Sequence, residues 1–102
     1  MADIDAIREA FSQQDYLLTA HASDRAAKRA IRSSEIEQAI AAGEVIEDYP
    51  QDKYGPSCLI FGMTQDARPL HVQVSYPPNL KIITVYEPTP DDWEADWKTR
   101  KP

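Results

Sequence analysis

The sequence has little of three residue types that often mark function. Its 102 residues include one cysteine, two histidines and three glycines. The single cysteine, Cys58, cannot form an intrachain disulfide, and its position in an apolar run predicts a buried thiol rather than a nucleophile. Three scattered glycines exclude a glycine-rich phosphate-binding loop. Two histidines among scattered carboxylates lack the spacing of a zinc site, so we expect no metal and no cofactor.

Long apolar runs are also missing. No stretch approaches the length needed to cross a bilayer, and residues 1–5 are acidic rather than apolar. This predicts a protein of the cytoplasm with no membrane contact. Apolar residues make up 42% and charged residues 27%, as in globular proteins, and the length predicts one domain over residues 1–102.

Positive charge is scarce and concentrated. The net charge is −6, whereas nucleic-acid-binding domains are usually basic. Residues 21–32 have a local balance of +3, and the charged residues from 35 to 52 are all negative. A basic helix beside an acidic body is therefore the main electrostatic feature of the sequence.

Apolar spacing predicts a first helix within residues 1–15. Ile4, Ile7 and Phe11 recur at helical spacing and give this helix one apolar stripe. The next residues, 16–19, are too few to classify by period, and both a short strand and a turn fit them.

A basic helix and a capped helix are predicted within residues 16–42. Alanines favour a helix over residues 20–30. A regular helix there would place four side chains on one face, namely His21, Arg25, Arg29 and Arg32. Ser33 or Ser34 fits the cap of the third helix, with Glu37 reaching back to it.

The pattern changes to strands after residue 43. Four antiparallel strands are predicted within residues 43–87, at 44–49, 57–63, 69–76 and 80–86. Leu70, Val72 and Val74 should be buried, and Gln73 and Ser75 more exposed, because successive side chains of a strand point to opposite faces.

The C-terminal tail, residues 88–102, follows the last strand. Trp93 and Trp97 are four residues apart, which predicts a short helix that presses both rings onto the body. Helices followed by strands predict an α+β fold, with the helices packed on one face of a four-stranded antiparallel sheet.

Two histidines and one tyrosine are candidates for acid–base chemistry. His21 opens the second helix, and His71 lies on the polar face of a strand with Tyr86 on the next strand. Metal-independent RNA cleavage needs a base, an acid and cations at the phosphate. We predict a shallow cleft between helix and sheet whose catalytic residues are His21, Arg25, His71 and Tyr86. Arg29 and Arg32 are predicted to bind the phosphate of RNA.

The same residues have explanations without catalysis. A histidine at a helix start often serves only as a local hydrogen-bonding group, and Tyr86 fits a packed aromatic side chain. The arginines fit a solvated helix face that pairs with the acidic residues between 35 and 52.

Five motifs follow the first helix in order, and they cover nearly all of the remaining chain up to residue 88. They are residues 18–25, 43–50, 52–59, 68–72 and 82–88. Together they resemble a bacterial family of domains of unknown function, the family numbered 4258. The resemblance implies kinship with the RelE-like and barnase-like ribonuclease fold of bacterial toxins. It also implies that His21, Arg25 and Arg29 match a helix motif and that His71 matches a strand motif.

Two alanines depart from the pattern of that family. Ala30 and Ala67 stand where glycine is often found. Both departures concern turn geometry rather than chemistry.

Two functions fit these observations. The first is a RelE-like, toxin-type ribonuclease of the bacterial cytoplasm, with RNA and an antitoxin as partners. The second is a non-enzymatic module that keeps the fold and binds another protein. The two differ in whether the histidines and arginines meet in one cleft.

Overall fold

Three helices precede the four long strands, as the spacing of apolar residues predicts. The computed structural model describes residues 2–53 and 55–102, so Met1 and Tyr54, which belongs to a family-like motif, lie outside the described residues. The helices are α1 (Ile4–Ser12), α2 (Ala20–Lys28) and α3 (Ser33–Ala42). Within the described part of the chain, no helix is long and apolar enough to cross a membrane.

The third helix begins differently from the predicted capping box. Its cap residue is Arg32, and the Glu35 side chain accepts a hydrogen bond from the Arg32 backbone N–H over 3.0 Å. The predicted cap at Ser33 or Ser34, with Glu37 reaching back, is therefore wrong. The chain enters the helix earlier than the serines suggest, and Glu35 is the carboxylate in reach of the free N–H.

Five strands, rather than the predicted four, form the sheet. They are β1 (Leu17–Leu18), β2 (Glu44–Tyr49), β3 (Ser57–Met63), β4 (Pro69–Ser75) and β5 (Lys81–Tyr86), in the spatial order β1-β5-β4-β3-β2. The four long strands pair antiparallel, whereas β1 pairs parallel with β5 at the edge. A strand of two residues has no measurable period, so its pairing is decided by tertiary contact.

The helices pack on one face of the sheet. Ile60, Val72 and Val85 are cross-strand neighbours, are fully buried and belong to the same core as residues of all three helices. A Cβ added to Gly62 would lie 1.9 Å from the Ala39 carbonyl oxygen, so α3 lies directly on β3. The predicted burial of Leu70, Val72 and Val74 is confirmed, and Gln73 and Ser75 are indeed more exposed.

The C-terminal tail, residues 88–102, covers part of the opposite face, which we call the outer face. The tail consists of turns and one isolated bridge between Trp93 and Arg100, so the predicted helix is wrong. The Asp96 carboxylate accepts hydrogen bonds from the backbone N–H groups of Lys98 and Thr99, at 2.9 and 3.1 Å. Such local bonds stabilise a turn at the expense of a helix.

Candidate functional site

His71 is fully buried on the outer face of the sheet. Its cross-strand neighbours are Phe61 on β3 and Tyr86 on β5. The Trp93 ring of the tail covers it, with 4.3 Å between the ring centroids and an angle of 89° between the ring planes. The polar face of β4 is therefore not an open surface at His71, because the tail lies on it.

Both ring nitrogens of His71 are hydrogen-bonded. Nε2 lies 2.6 Å from the Trp97 backbone carbonyl, and Nδ1 lies 3.1 Å from the Tyr86 hydroxyl. A carbonyl oxygen only accepts, so Nε2 carries the hydrogen and Nδ1 of the neutral ring accepts from the Tyr86 O–H. Burial lowers the pKa of His71 below its ordinary value of 6.5. The imidazole is therefore neutral at pH 7.

A charged group beside His71 joins the tail to β2. Arg100 donates from Nε and Nη2 to the two carboxylate oxygens of Glu47, at 2.7 and 3.1 Å, and its guanidinium lies 4.7 Å from the centroid of the Trp93 ring. The Tyr49 hydroxyl donates to the same carboxylate. The hydrogen bond from Arg100 lowers the pKa of Glu47, and burial raises the pKa of Tyr49 to about 12. Together these side chains form the outer-face cluster, which consists of Glu47, Tyr49, His71, Tyr86, Trp93 and Arg100.

Three members of the outer-face cluster, Glu47, Tyr49 and Arg100, were not predicted as site residues from the sequence. Glu47 and Tyr49 are two residues apart on β2, so alternation places them on one face and could have drawn attention to them. Arg100 is 53 residues from Glu47, and no local pattern connects the two. His71 and Tyr86 were predicted together, and the structure does bring them into contact.

Two of the predicted site residues lie on α2, which packs beside β5. Ala22 and Ala26 of α2 face the core, whereas His21 is exposed and Arg25 is half-buried. Neither of these two side chains has a hydrogen bond or ion pair with another described residue. His21 is therefore exposed, whereas His71 is fully buried under the tail, and the predicted shared cleft stays a prediction.

The basic stripe predicted for α2 is broken by a turn. The helix ends at Lys28, and Ala30 has a positive φ of 52°. Arg29 donates to the Val85 carbonyl at 2.8 Å, and Arg32 lies 3.7 Å from Glu35 at the start of α3. The arginines are therefore split between two elements, although Arg29 and Arg32 are both exposed.

The two alanines that replace family-like glycines both lie at strained turns. Ala30 has a φ of 52° and Ala67 a φ of 61°, in the left-handed region that glycine adopts most easily. Arg68 links the two turns, since its Nη1 and Nη2 atoms donate to the carbonyls of Ala30 and Arg29 at 3.0 and 2.9 Å. These residues shape the end of α2 rather than a reaction site.

The outer face also contains a depression of about 830 Å³, lined among others by Asp52, Gln73, Ser75, Tyr76, Lys81 and Ile83. Among the described residues, no three His, Cys, Asp or Glu side chains are close enough together to hold a metal ion.

A comparison with protein families matches most of the chain. The model of a family described as a domain of unknown function, DUF4258, matches residues 18–87, which is more than half of the chain. The chain belongs to this family. No curated protein and no solved structure gives a significant match. The matched DUF4258 domain contains four members of the outer-face cluster, whereas Trp93 and Arg100 lie beyond it in the tail.

Proposed function

We propose that this DUF4258 protein is a non-enzymatic binding module that recognises a protein partner. The observation that carries the proposal is the environment of His71, which is fully buried and has both ring nitrogens engaged. A general base needs a free nitrogen within reach of a substrate proton. Nδ1 already accepts from Tyr86, and Nε2–H is held by the Trp97 carbonyl, so the ring serves to hold the tail.

The environments of the other candidates support the same function. His21 is exposed on α2, whereas His71 is buried under the tail, which argues against their acting as an acid–base pair. Arg29 and Arg32 lie on different elements. The groups that metal-independent RNA cleavage requires thus lie on separate elements and differ in exposure.

A toxin-type ribonuclease, RelE-like in fold, is the second candidate. One observation favours it, namely that a histidine, a tyrosine and a carboxylate, all types used in proton transfer, meet an arginine in the outer-face cluster. In this candidate RNA would be the substrate, an antitoxin would be a partner, and the bacterial cytoplasm would be the compartment. The tail would have to leave His71 before RNA could approach.

An RNA-cleavage assay separates the two functions. The purified full-length protein is incubated with total RNA in the presence of EDTA, alongside His71→Ala and His21→Ala variants of confirmed fold. The binding module predicts no cleavage above a buffer control in any sample. Cleavage by the wild type that is lost in His71→Ala would overturn the proposal in favour of the ribonuclease. Cleavage lost in His21→Ala would also overturn it, and would indicate that the reaction takes place at α2.

A further inference from the structure

The boundary of the DUF4258 match divides the outer-face contacts into two sets. The sheet side chains that hold the tail include Glu44, Glu47 and His71, all within residues 18–87. The tail groups that they hold, on Trp97, Lys98 and Arg100, lie beyond residue 87. The DUF4258 domain therefore supplies one surface, and the tail supplies what occupies it.

The tail docks on that surface as a separate looped segment. Its backbone hydrogen bonds are internal to the tail, for example from Glu94 N–H to the Thr99 carbonyl at 2.8 Å and from Lys101 N–H to the Asp92 carbonyl at 3.0 Å. In the described part of the chain, none of them extends the ladder of the sheet. The tail is thus held by side-chain contacts and one carbonyl, as a bound peptide is held.

The contacts define what the surface recognises. The Trp93 ring is 3% exposed and covers His71, the Trp97 carbonyl accepts from Nε2–H, and Arg100 forms a bidentate pair with Glu47. Lys98 adds a 3.1 Å ion pair with Glu44. Tryptophan and arginine are the side chains that most often dominate binding energy at interfaces. The surface itself presents carboxylates, so it selects a segment that brings a cation and an aromatic ring.

We propose that the outer face of the DUF4258 domain is a binding site for a looped protein segment that carries a tryptophan and an arginine, and that residues 88–102 occupy it as an intramolecular ligand. This proposal rests on the function proposed above. A covalently attached segment has an effective local concentration in the millimolar range, on the order of 1 mM for a short connection. The partner segment therefore has to compete with the tail, and this competition lowers the apparent affinity of the outer face for the partner.

The test uses the full-length chain and a fluorescein-labelled synthetic peptide with the sequence of residues 88–102. Peptide binding is followed by fluorescence anisotropy for the wild type, for Trp93→Ala and for Trp93→Ala combined with Glu47→Gln. The matched control is the same peptide with alanine at the positions of Trp93 and Arg100. We expect the native peptide to bind Trp93→Ala at least about tenfold more tightly than it binds the wild type, since the attached tail no longer competes. The double variant should bind the native peptide about tenfold more weakly than Trp93→Ala does, because Glu47→Gln removes the partner of the peptide arginine.

A second variant keeps the test decisive if Trp93→Ala does not fold alone. Arg100→Ala weakens the tail while it leaves the buried ring in place, and it should show a smaller gain in peptide affinity. A folded Trp93→Ala or Arg100→Ala chain that binds the native and control peptides equally, or binds neither, would overturn the proposal. RNA cleavage by the opened variants would instead refute the non-enzymatic function and leave the peptide result unaffected, so the two failures are distinguishable.

Discussion

The two histidines of this protein occupy opposite environments, one buried on the outer face of the sheet and one exposed at the start of α2. His71 on the outer face is fully buried, has two hydrogen-bond partners and lies under a tryptophan ring. His21 on α2 is exposed and has no polar side-chain partner among the described residues. The residue type is the same, yet one imidazole is part of the packing and the other is part of the surface.

The difference shows why residue types alone do not define a site. In a strand with one face on the core, the side chains that point to the other face are expected to be exposed to solvent. This holds only if no other segment covers that face. The tail covers His71, whereas His21 is exposed. The predictions below test this contrast between the covered outer face and the exposed side of α2, in order of decreasing effect.

Removal of the covering ring should give the largest effect. Trp93→Ala deletes a side chain that is 3% exposed and should lower the free energy of unfolding by about 3–5 kcal/mol. Urea denaturation followed by circular dichroism measures the loss. Trp97→Ala is the matched control, because that ring is half-buried and its backbone carbonyl remains available to His71. Equal losses for the two variants would show that the ring over His71 does not hold the tail.

The two histidines should respond very differently to the same substitution. His71→Ala leaves the Tyr86 hydroxyl and the Trp97 carbonyl without a partner, and should cost about 2–4 kcal/mol. His21→Ala should leave the free energy of unfolding unchanged within the error of the measurement. Thermal or urea unfolding of both variants checks the contrast, and a large loss from His21→Ala would contradict the exposed position of that side chain.

The buried imidazole should also make stability depend on pH. The pKa of His71 is lower in the folded chain than the ordinary value of about 6.5, so the unfolded chain takes up the proton first as the pH falls. The free energy of unfolding should therefore decrease below pH 6.5, by at most about 1.4 kcal/mol per pH unit. The charged groups that face the ring are Glu47 and Arg100, and they have opposite effects on its pKa.

His71→Gln is the test of that dependence, because the amide keeps a donor for the Trp97 carbonyl but does not titrate. Urea titrations between pH 5 and pH 7 should show a shallower slope for His71→Gln than for the wild type. An identical slope would assign the pH dependence to other groups.

Loss of the ion pair at the tail should have a smaller effect. Arg100 is more than half exposed, so Arg100→Ala should lower the free energy of unfolding by no more than about 1 kcal/mol, even though the pair with Glu47 is bidentate. The loss should shrink as salt is added, since exposed charges are screened. A loss of several kcal/mol that does not change with salt would mean that Arg100 acts mainly through its packing on Trp93.

The smallest effect is expected at the turn that ends α2. Ala30→Gly should raise the free energy of unfolding slightly, by about 0.5–1 kcal/mol, because glycine adopts the φ of 52° without strain. Thermal unfolding measures the gain. Ala27→Gly is the control and should have the opposite sign, since Ala27 lies inside the helix. A loss at both positions would argue that the turn is not strained.

Much of the architecture was predictable from local pattern. The three helices, the four long strands and the buried valines of β4 follow from spacing, because side-chain period reports directly which face is covered. The short parallel strand β1 and the turns of the tail were not predictable. A pair of residues has no period, and the tail acquires its shape from contacts with a surface that is distant in sequence.

The candidate site was predictable only as a pair. The alternation of β4 and β5 placed His71 and Tyr86 on one face, and they do meet there. The addition of His21 and Arg25 to that pair stays a prediction, since helix spacing determines which residues of α2 share a face but not how that face is oriented toward the sheet.

By itself, the sequence determined the order of elements, the core face of the long strands and the family to which residues 18–87 belong. These properties depend on periodicity and on contiguous motifs, which are local. Only the tertiary structure decided that His71 is buried under the tail, that His21 is exposed on α2, and that Arg100 pairs with Glu47. The burial of His71 and the ion pair of Arg100 depend on where the tail, which has no regular secondary structure, packs on the sheet. That position is fixed by one buried ring, one carbonyl and two ion pairs, because in the described part of the chain no ladder of backbone hydrogen bonds joins the tail to the sheet.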